Sequence, residues 1–291
     1  MGSRALILGG GGPVGIAWEV GLAAGLEERG VHIADAARIV GTSAGSFVGA
    51  ALASGRPAEA LVRAQMEQAE RDKAATKTSS SERRAPPDLG PLMRLMASRP
   101  AEGTPPTAWL IEVGQFALNA RTITEDQFLA SFGSITKTGE SWPKGFACTA
   151  VDAVDGSFHV WEATSGVELG RAIASSCSVP GIYPPIAIGG RRYIDGGMRS
   201  GTNFDLGKGY DRVLAIAVVS NMAREMQLAR VEAEVAGLRE TGARVELILP
   251  DANCREAFGN NLMDARRRGD VALAGVVQGR EEAARINAFW S

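Results

Sequence analysis

Two strand–turn–helix units within the first 54 residues constrain the fold more than any other feature of this chain. Ala5 to Leu8 is a short apolar run that ends in Gly9-Gly10-Gly11-Gly12. Ile16 to Arg29 reads as a helix, and Gly30 is placed to cap it. Arg38-Ile39-Val40 then repeats the pattern, and Gly41-Thr42-Ser43-Ala44-Gly45 turns the chain into a helix over Ala44 to Ser54. Strand, helix, strand, helix is the order that builds parallel pairs by crossover connections. It predicts an α/β fold with a mostly parallel central sheet and helices on both faces.

The rest of the chain continues in kind. Ala58 to Ala75 reads as a long amphipathic helix, and Thr124-Glu125-Asp126-Gln127 as a capping box opening a short one. Phe146 to Ala153 and Phe158 to Trp161 flank Asp155-Gly156, a hairpin signal. Leu169 to Ser176 and Asn221 to Glu240 read as helices, and Arg191 to Ile194, Val213 to Val219 and Arg244 to Leu249 as strands. Two helices are expected to close the chain, over Cys254 to Arg268 and Val271 to Phe289. The 291 residues are read as one domain, 1–291. Thr76 to Pro106 breaks the pattern with Ser79-Ser80-Ser81 and a series of prolines, and is expected to be a loop or lid-like excursion.

Composition excludes several classes of function. Thirty-one basic against 33 acidic residues give a net charge of −2, with no basic excess for nucleic acid. Three cysteines and two histidines are too few and too scattered for a disulfide framework or a metal site, so neither metal nor other cofactor is expected. No apolar run approaches the roughly 18 residues of a membrane span. The opening residues do not resemble a signal peptide, so a cytoplasmic location is expected, compatible with peripheral contact at a membrane.

Two glycine motifs compete for the function. Gly10-Gly11-Gly12-Pro13-Val14-Gly15 satisfies the GxGxxG dinucleotide fingerprint. That fingerprint needs an acidic residue after the second strand to hold a ribose, and none follows Val40 until Glu59. Gly41-Thr42-Ser43-Ala44-Gly45 is a GxSxG. A nucleophilic serine projecting from a sharp strand-to-helix turn leaves no room for side chains two positions to either side, which is why glycine flanks it. A serine needs a base. His32 and His159 lie in no recognisable loop context, which turns attention to a carboxylate. Asp195 ends a strand and enters Gly196-Gly197, 195 − 43 = 152 residues from Ser43, so any contact depends on the fold.

Taken together, Gly10 to Gly15, Gly41 to Gly45 and Asp195-Gly196-Gly197 resemble the three ordered motifs of the patatin-like phospholipase family. Ala174-Ser175-Ser176-Cys177-Ser178-Val179-Pro180 with Tyr183-Pro184-Pro185 is similar to the segment that precedes the aspartate there. The resemblance covers roughly residues 4 to 220. It implies a three-layer α/β/α fold and hydrolysis of lipid-like acyl esters through a Ser–Asp dyad. Ser43 would form the acyl-enzyme, Asp195 would act as base, and the backbone N–H groups of Gly10, Gly11 and Gly12 would hold the oxyanion. Where the family carries Arg or Lys, immediately before the last glycine of this motif, this chain has Val14, which favours neutral esters or thioesters. The alternatives are a thioesterase or transacylase using the same dyad, or a non-catalytic lipid-binding protein.

Other residues are left uncommitted. Arg191-Arg192 could meet an anionic headgroup, Leu92, Met93, Leu95 and Met96 could line an acyl groove, and Trp109, Trp142, Trp161 and Trp290 could anchor at an interface. Arg266-Arg267-Arg268 is expected on a solvated helix face, and the three cysteines are expected to be buried and inert.

Overall fold

The computed structural model describes residues 2–78, 90–100, 103–132 and 141–291. The elements run β1 (Arg4–Leu8), α1 (Gly12–Glu27), β2 (Arg38–Gly41), α2 (Ala44–Ala53), α3 (Ala58–Thr78), α4 (Gly90–Ser98), α5 (Thr107–Asn119) and α6 (Glu125–Ser131). Then follow β3 (Phe146–Asp152), β4 (Phe158–Glu162), α7 (Leu169–Ser176), β5 (Ile186–Ile188), β6 (Arg191–Asp195), β7 (Arg212–Ile216), α8 (Arg224–Arg239), β8 (Arg244–Ile248), α9 (Ala252–Phe258) and α10 (Arg268–Trp290).

The strands form one sheet in the order β5-β6-β3-β2-β1-β7-β8, with β4 beside β3. The pairs β2–β1, β1–β7, β7–β8 and β2–β3 are parallel. The antiparallel pairs, β3–β4, β3–β6 and β5–β6, gather at one end. Both faces are covered, so the strands alternate between two apolar layers rather than between core and solvent. Leu6, Leu8, Ile39, Leu214 and Ile216 face a layer built with α1, α2, α7 and α10. Ala5, Ile7, Val40, Val213 and Ala215 face Val231, Val235 and Leu238 of α8. At the antiparallel end, Val151 and Ile194 pack on Trp109, Leu110, Val113 and Ala117 of α5.

Several elements depart from the sequence expectation. The helix expected over Cys254 to Arg268 is split, because Gly259 takes φ +66° and ends α9; a short 3-10 turn at Ala265–Arg267 then leads into α10. The strand expected to reach Val219 stops at Ile216. Helix α5, where the sequence reading named no element, carries buried apolar residues at 109, 110, 113 and 117, a helical spacing. Of the excursion expected over 76–106, α3 runs on to Thr78 and α4 occupies Gly90–Ser98, while 79–89 and 101–102 lie outside the described residues. Leu92 is buried, and Leu95 and Met96 pack against the α5 cluster; the Met93 side chain lies outside the described residues.

Helix α1 lies between the sheet and α10 and is buried on all sides from Pro13 to Leu26 apart from Ile16. The crossing is made by glycines on both helices. A Cβ on Gly21 or Gly25 would overlap the carbonyl of Ala272 or Val276, and one on Gly275 or Gly279 the carbonyl of Trp18 or Leu22. Such backbone contact tolerates no added methyl. Gly21→Ala should therefore destabilise the fold by about 2 kcal/mol or more. Gly237→Ala, in α8 with nothing within 4 Å of its Cβ position, should stabilise it by roughly 0.5–1 kcal/mol. Urea unfolding of both variants checks the pair, and equal effects would contradict the crossing described here.

The same burial encloses Glu19, only 1% exposed, with no hydrogen-bond partner for either carboxyl oxygen. Desolvation pushes its pKa well above the carboxylate range and favours the neutral acid. The folded pKa is therefore raised above the unfolded value of about 4.3, and Glu19 weakens the fold as pH rises from that value toward the folded pKa, by about 1.4 kcal/mol per pH unit. Below the unfolded value the penalty vanishes. The stability of Glu19→Gln relative to wild type should be near neutral at low pH and grow upward from about pH 5. Melting curves that stay parallel across pH would contradict a buried, unpartnered carboxyl.

Candidate active site

Ser43 occupies the turn between β2 and α2 with φ 52° and ψ −117°, a left-handed conformation that a residue with a Cβ adopts only when its surroundings impose it. The surroundings here are the flanking glycines. A Cβ on Gly41 would overlap the carbonyl of Gly45, and one on Gly45 would overlap the carbonyl of Leu8 at the end of β1. The turn is tied down further, since the Gly45 N–H donates to Gly9 O at 3.0 Å and to Thr42 O at 2.9 Å. GxSxG is thus a steric requirement of this bend, as the sequence reading expected. Ser43 itself is 7% exposed.

Asp195 reaches Ser43 because of how β3 is paired. Strand β4 occupies one edge of β3 from Ala147 to Val151. Strands β2 and β6 must share the other edge, β2 opposite Phe146 to Cys148 and β6 opposite Ala150 to Asp152. Strand β2 runs parallel and ends at Gly41 opposite Cys148; β6 runs antiparallel and ends at Asp195 opposite Ala150. The C-terminal ends of the two strands therefore meet over Thr149, with partners about 6.6 Å apart along β3. Asp195 is 2% exposed. Burial pushes its pKa up to about 7, against hydrogen bonds from the Ser43 side chain and the Gly197 N–H, the latter 2.7 Å from Oδ1. A Cβ on Gly196 would overlap Thr149 Oγ1, so the glycine after the aspartate is also required by space.

Ser176-Cys177-Ser178 brackets the two residues. The Ser43 N–H donates to Ser176 Oγ at 3.0 Å, the Cys177 thiol donates to Ser43 O at 3.1 Å, and the Asp195 N–H donates to Ser178 O at 3.1 Å. Ser46 Oγ also donates to Ser43 O, at 2.6 Å. On the other side, Asn203 is fully buried and left-handed, with φ 49°. Its Nδ2 donates to Thr42 Oγ1 at 3.0 Å and Ser200 O at 2.8 Å, locking the turn before Ser43 to the loop after Asp195. Sequence reasoning passed over Asn203. Its only signal was an asparagine, the residue that best tolerates left-handed backbone after glycine, two positions past Gly201.

The glycine turn lies against Ser43: a Cβ on Gly10 would sit 3.2 Å from Ser43 Cβ. Its three donors are not equivalent. The Gly10 N–H donates to Gly201 O at 2.7 Å and is already engaged, contrary to the expectation that it faces a ligand. The Gly11 and Gly12 N–H groups make no hydrogen bond among the described residues. They stand at the start of α1, whose first turn carries no acidic side chain to offset its positive end. Val14 is fully buried in the core, and its N–H donates to Leu262 O at 3.1 Å.

The remaining candidates have other occupations. His159 stacks on Trp161 and packs edge-on to Tyr193, and its Nε2 lies 3.0 Å from Ser157 Oγ. Burial holds its pKa below the usual histidine value. Arg191 is paired with Asp152 and Asp155, and Arg192 with Glu125. Trp109, Trp161 and Trp290 are buried, and Trp142 Nε1 donates to Val167 O at 2.7 Å, so none of these rings is free to anchor at an interface. The three cysteines are free and buried, their thiols pushed up by desolvation. Arg266 is exposed and paired with Asp264, but Arg268 departs from the solvated face expected of it, with a side chain only 18% exposed. Among the described residues no group of His, Cys, Asp and Glu could hold a metal, and no helix is long and apolar enough to cross a membrane.

Comparison with known proteins bears on this arrangement. The sequence profile of the patatin-like phospholipase family matches residues 6–207. Among solved structures, VipD from Legionella pneumophila aligns at 13% identity with a TM-score of 0.48, over 98% of this chain and 67% of that one. ExoU, in its complex with SpcU from Pseudomonas aeruginosa, aligns at 18% identity with a TM-score of 0.44, over 97% of this chain and 51% of its own. The chain thus spans about half the length of ExoU. No curated protein matches. The family match covers both glycine motifs, the bracketing serines and the aspartate, and the chain belongs to the patatin-like phospholipase family.

Proposed function

We propose that this chain is a serine-dependent lipid acyl hydrolase in which Ser43 and Asp195 form a two-residue catalytic unit. The observation that carries the reading is the buried Asp195 carboxyl, raised to about 7 and hydrogen-bonded by a serine held in a strained turn. A base with a pKa near the working pH is both available and strong enough to take a hydroxyl proton.

In the first half-reaction Ser43 Oγ attacks the ester carbonyl while its proton passes to Asp195. The carbonyl oxygen becomes an oxyanion, held by the free N–H groups of Gly11 and Gly12 at the positive end of α1. Gly10 contributes space, since any side chain there would press on Ser43. Collapse expels the alcohol, which leaves with the proton from Asp195, and Ser43 remains acylated. Asp195 then removes a proton from water, whose oxygen attacks the acyl carbonyl. Collapse releases the fatty acid and returns the proton to Ser43. No metal is needed, because the proton traffic runs through one carboxyl and the charge rests on backbone donors.

Hydrolysis of p-nitrophenyl esters of graded chain length tests the reading. Ser43→Ala and Asp195→Asn should each lower kcat/KM by about a thousandfold or more while remaining folded. For wild type, activity requires the ionised Asp195, so kcat/KM should fall as pH drops below about 7 and level off above it. Retained activity in either variant, or a rate independent of pH from roughly 5 to 9, would overturn the assignment.

A further inference from the structure

Past the ends of β2 and β6 the strand ladder no longer holds the chain, and Ser43 lies two residues beyond Gly41. One amide takes over there. Asn203 Nδ2 donates to Thr42 Oγ1 at 3.0 Å and to Gly196 O at 3.3 Å, besides its bond to Ser200 O. Thr42 precedes Ser43 and Gly196 follows Asp195, so a single side chain grips the neighbour of each. Thr42 is fully buried, and its Oγ1 lies 2.9 Å from Oγ1 of Thr149, the β3 residue between the two strand ends. A Cβ on Gly197 would lie 3.8 Å from the Thr42 methyl. In packing this close, a shift of Thr42 moves both Ser43 and the Gly197 N–H that holds Asp195 Oδ1.

The amide is itself held by a cation. Arg199 Nη1 donates to Asn203 Oδ1 at 2.7 Å. A guanidinium has no acceptor, so this contact fixes which end of the amide is oxygen and leaves Nδ2 facing Thr42, Gly196 and Ser200. Arg199 is anchored in turn on two sides. Asp205 accepts from Nη1 at 2.9 Å and from Nη2 at 2.7 Å, a bidentate pair. Phe158 of β4 lies under the guanidinium, with its ring centroid 4.2 Å from Cζ. The Arg199 side chain is 17% exposed and Asn203 is fully buried, so removing the guanidinium would leave a buried Oδ1 without its donor.

Resting on the hydrolase reading above, we propose that Arg199 is a positioning residue for the Ser43–Asp195 pair, acting through Asn203. Arg199 orients the amide that fixes the residues next to the nucleophile and the base. A misplacement of about 1 Å at reacting groups costs on the order of a hundredfold in rate. Arg199 acts at a distance from the reacting atoms, so its loss should lower kcat and leave KM in place.

The test measures p-nitrophenyl ester hydrolysis and amide hydrogen exchange in wild type, Arg199→Met, Arg199→Lys, Asn203→Gly and the double variant of Arg199→Met with Asn203→Gly. Glycine removes the amide and suits the left-handed backbone at 203. Arg280→Met is the control, because Arg280 pairs with Glu28 just past the far end of α1. In Arg199→Met kcat should fall about ten- to a hundredfold with KM changed less than about twofold, and in Arg199→Lys, which keeps the charge and loses the fork, it should fall less. Once Asn203→Gly is present, Arg199→Met should have no further effect on kcat, since the group it acts through is gone. Exchange in peptides spanning Ser43 and Gly197 should quicken about tenfold in Arg199→Met and in Asn203→Gly, and not in Arg280→Met. Exchange needs no turnover, so an inactive wild type would count against the hydrolase reading alone, and the exchange rates would then decide the proposal. Unchanged kcat, a loss carried by KM, additive losses in the double variant or unchanged exchange would overturn it. Should Arg199→Met not fold, the same outcomes in Arg199→Lys decide.

Discussion

Strand β3 has only two edges, and one of them is taken along most of its length by β4. Two strands must therefore divide the other. Because β2 approaches in parallel and β6 antiparallel, their C-terminal ends face each other across Thr149. Side chains that leave a sheet at the ends of its strands are free to point away from the ladder, and here two such ends point at one another. Residues 43 and 195 become neighbours through strand pairing alone, with no long loop to position either. The mixed character of the sheet is thus what makes the site, since a wholly parallel sheet would send every strand end in one direction along separate columns.

Close packing then fixes the geometry. Gly41 and Gly45 let β2 bend into α2 hard against Leu8, and the bend drives Ser43 to positive φ. The segment from Ser176 to Ser178 bonds to the backbone of both Ser43 and Asp195, and Asn203 bridges the turns on the far side. Enclosure by these elements desolvates Asp195, and desolvation gives its carboxyl the affinity for a proton that exposed aspartates lack. One cause, burial at the strand junction, accounts for both the position and the basicity of the group.

Much of this was legible in the sequence, and the boundary has physical reasons. Ser43 and Asp195 stand in local motifs whose glycines are dictated by nearby backbone, so a few adjacent residues carried the signal. Their contact spans 152 residues (195 − 43) and follows from strand register, which no local pattern encodes. The fate of the Gly10 N–H depended on Gly201, far along the chain, and the sequence treated three consecutive glycines as equal donors. Arg268 was read as one of three solvated arginines because the break at Gly259, which turns it toward α3, was hidden inside an otherwise helical pattern. Helix α1 gave no amphipathic stripe because it is covered on every side, and Glu19 within it looked like an ordinary helical residue.

The proposed two-residue unit requires that Asp195 govern the reactivity of Ser43. It is tested most directly by the rate at which a fluorophosphonate labels the protein, followed by mass spectrometry across pH in wild type and Asp195→Asn. Label is expected on Ser43 alone, with a wild-type rate that rises as Asp195 ionises near pH 7 and a rate in Asp195→Asn that is slow and lacks that rise. Label on another residue, or the same pH-dependent rate on Ser43 in both proteins, would contradict it.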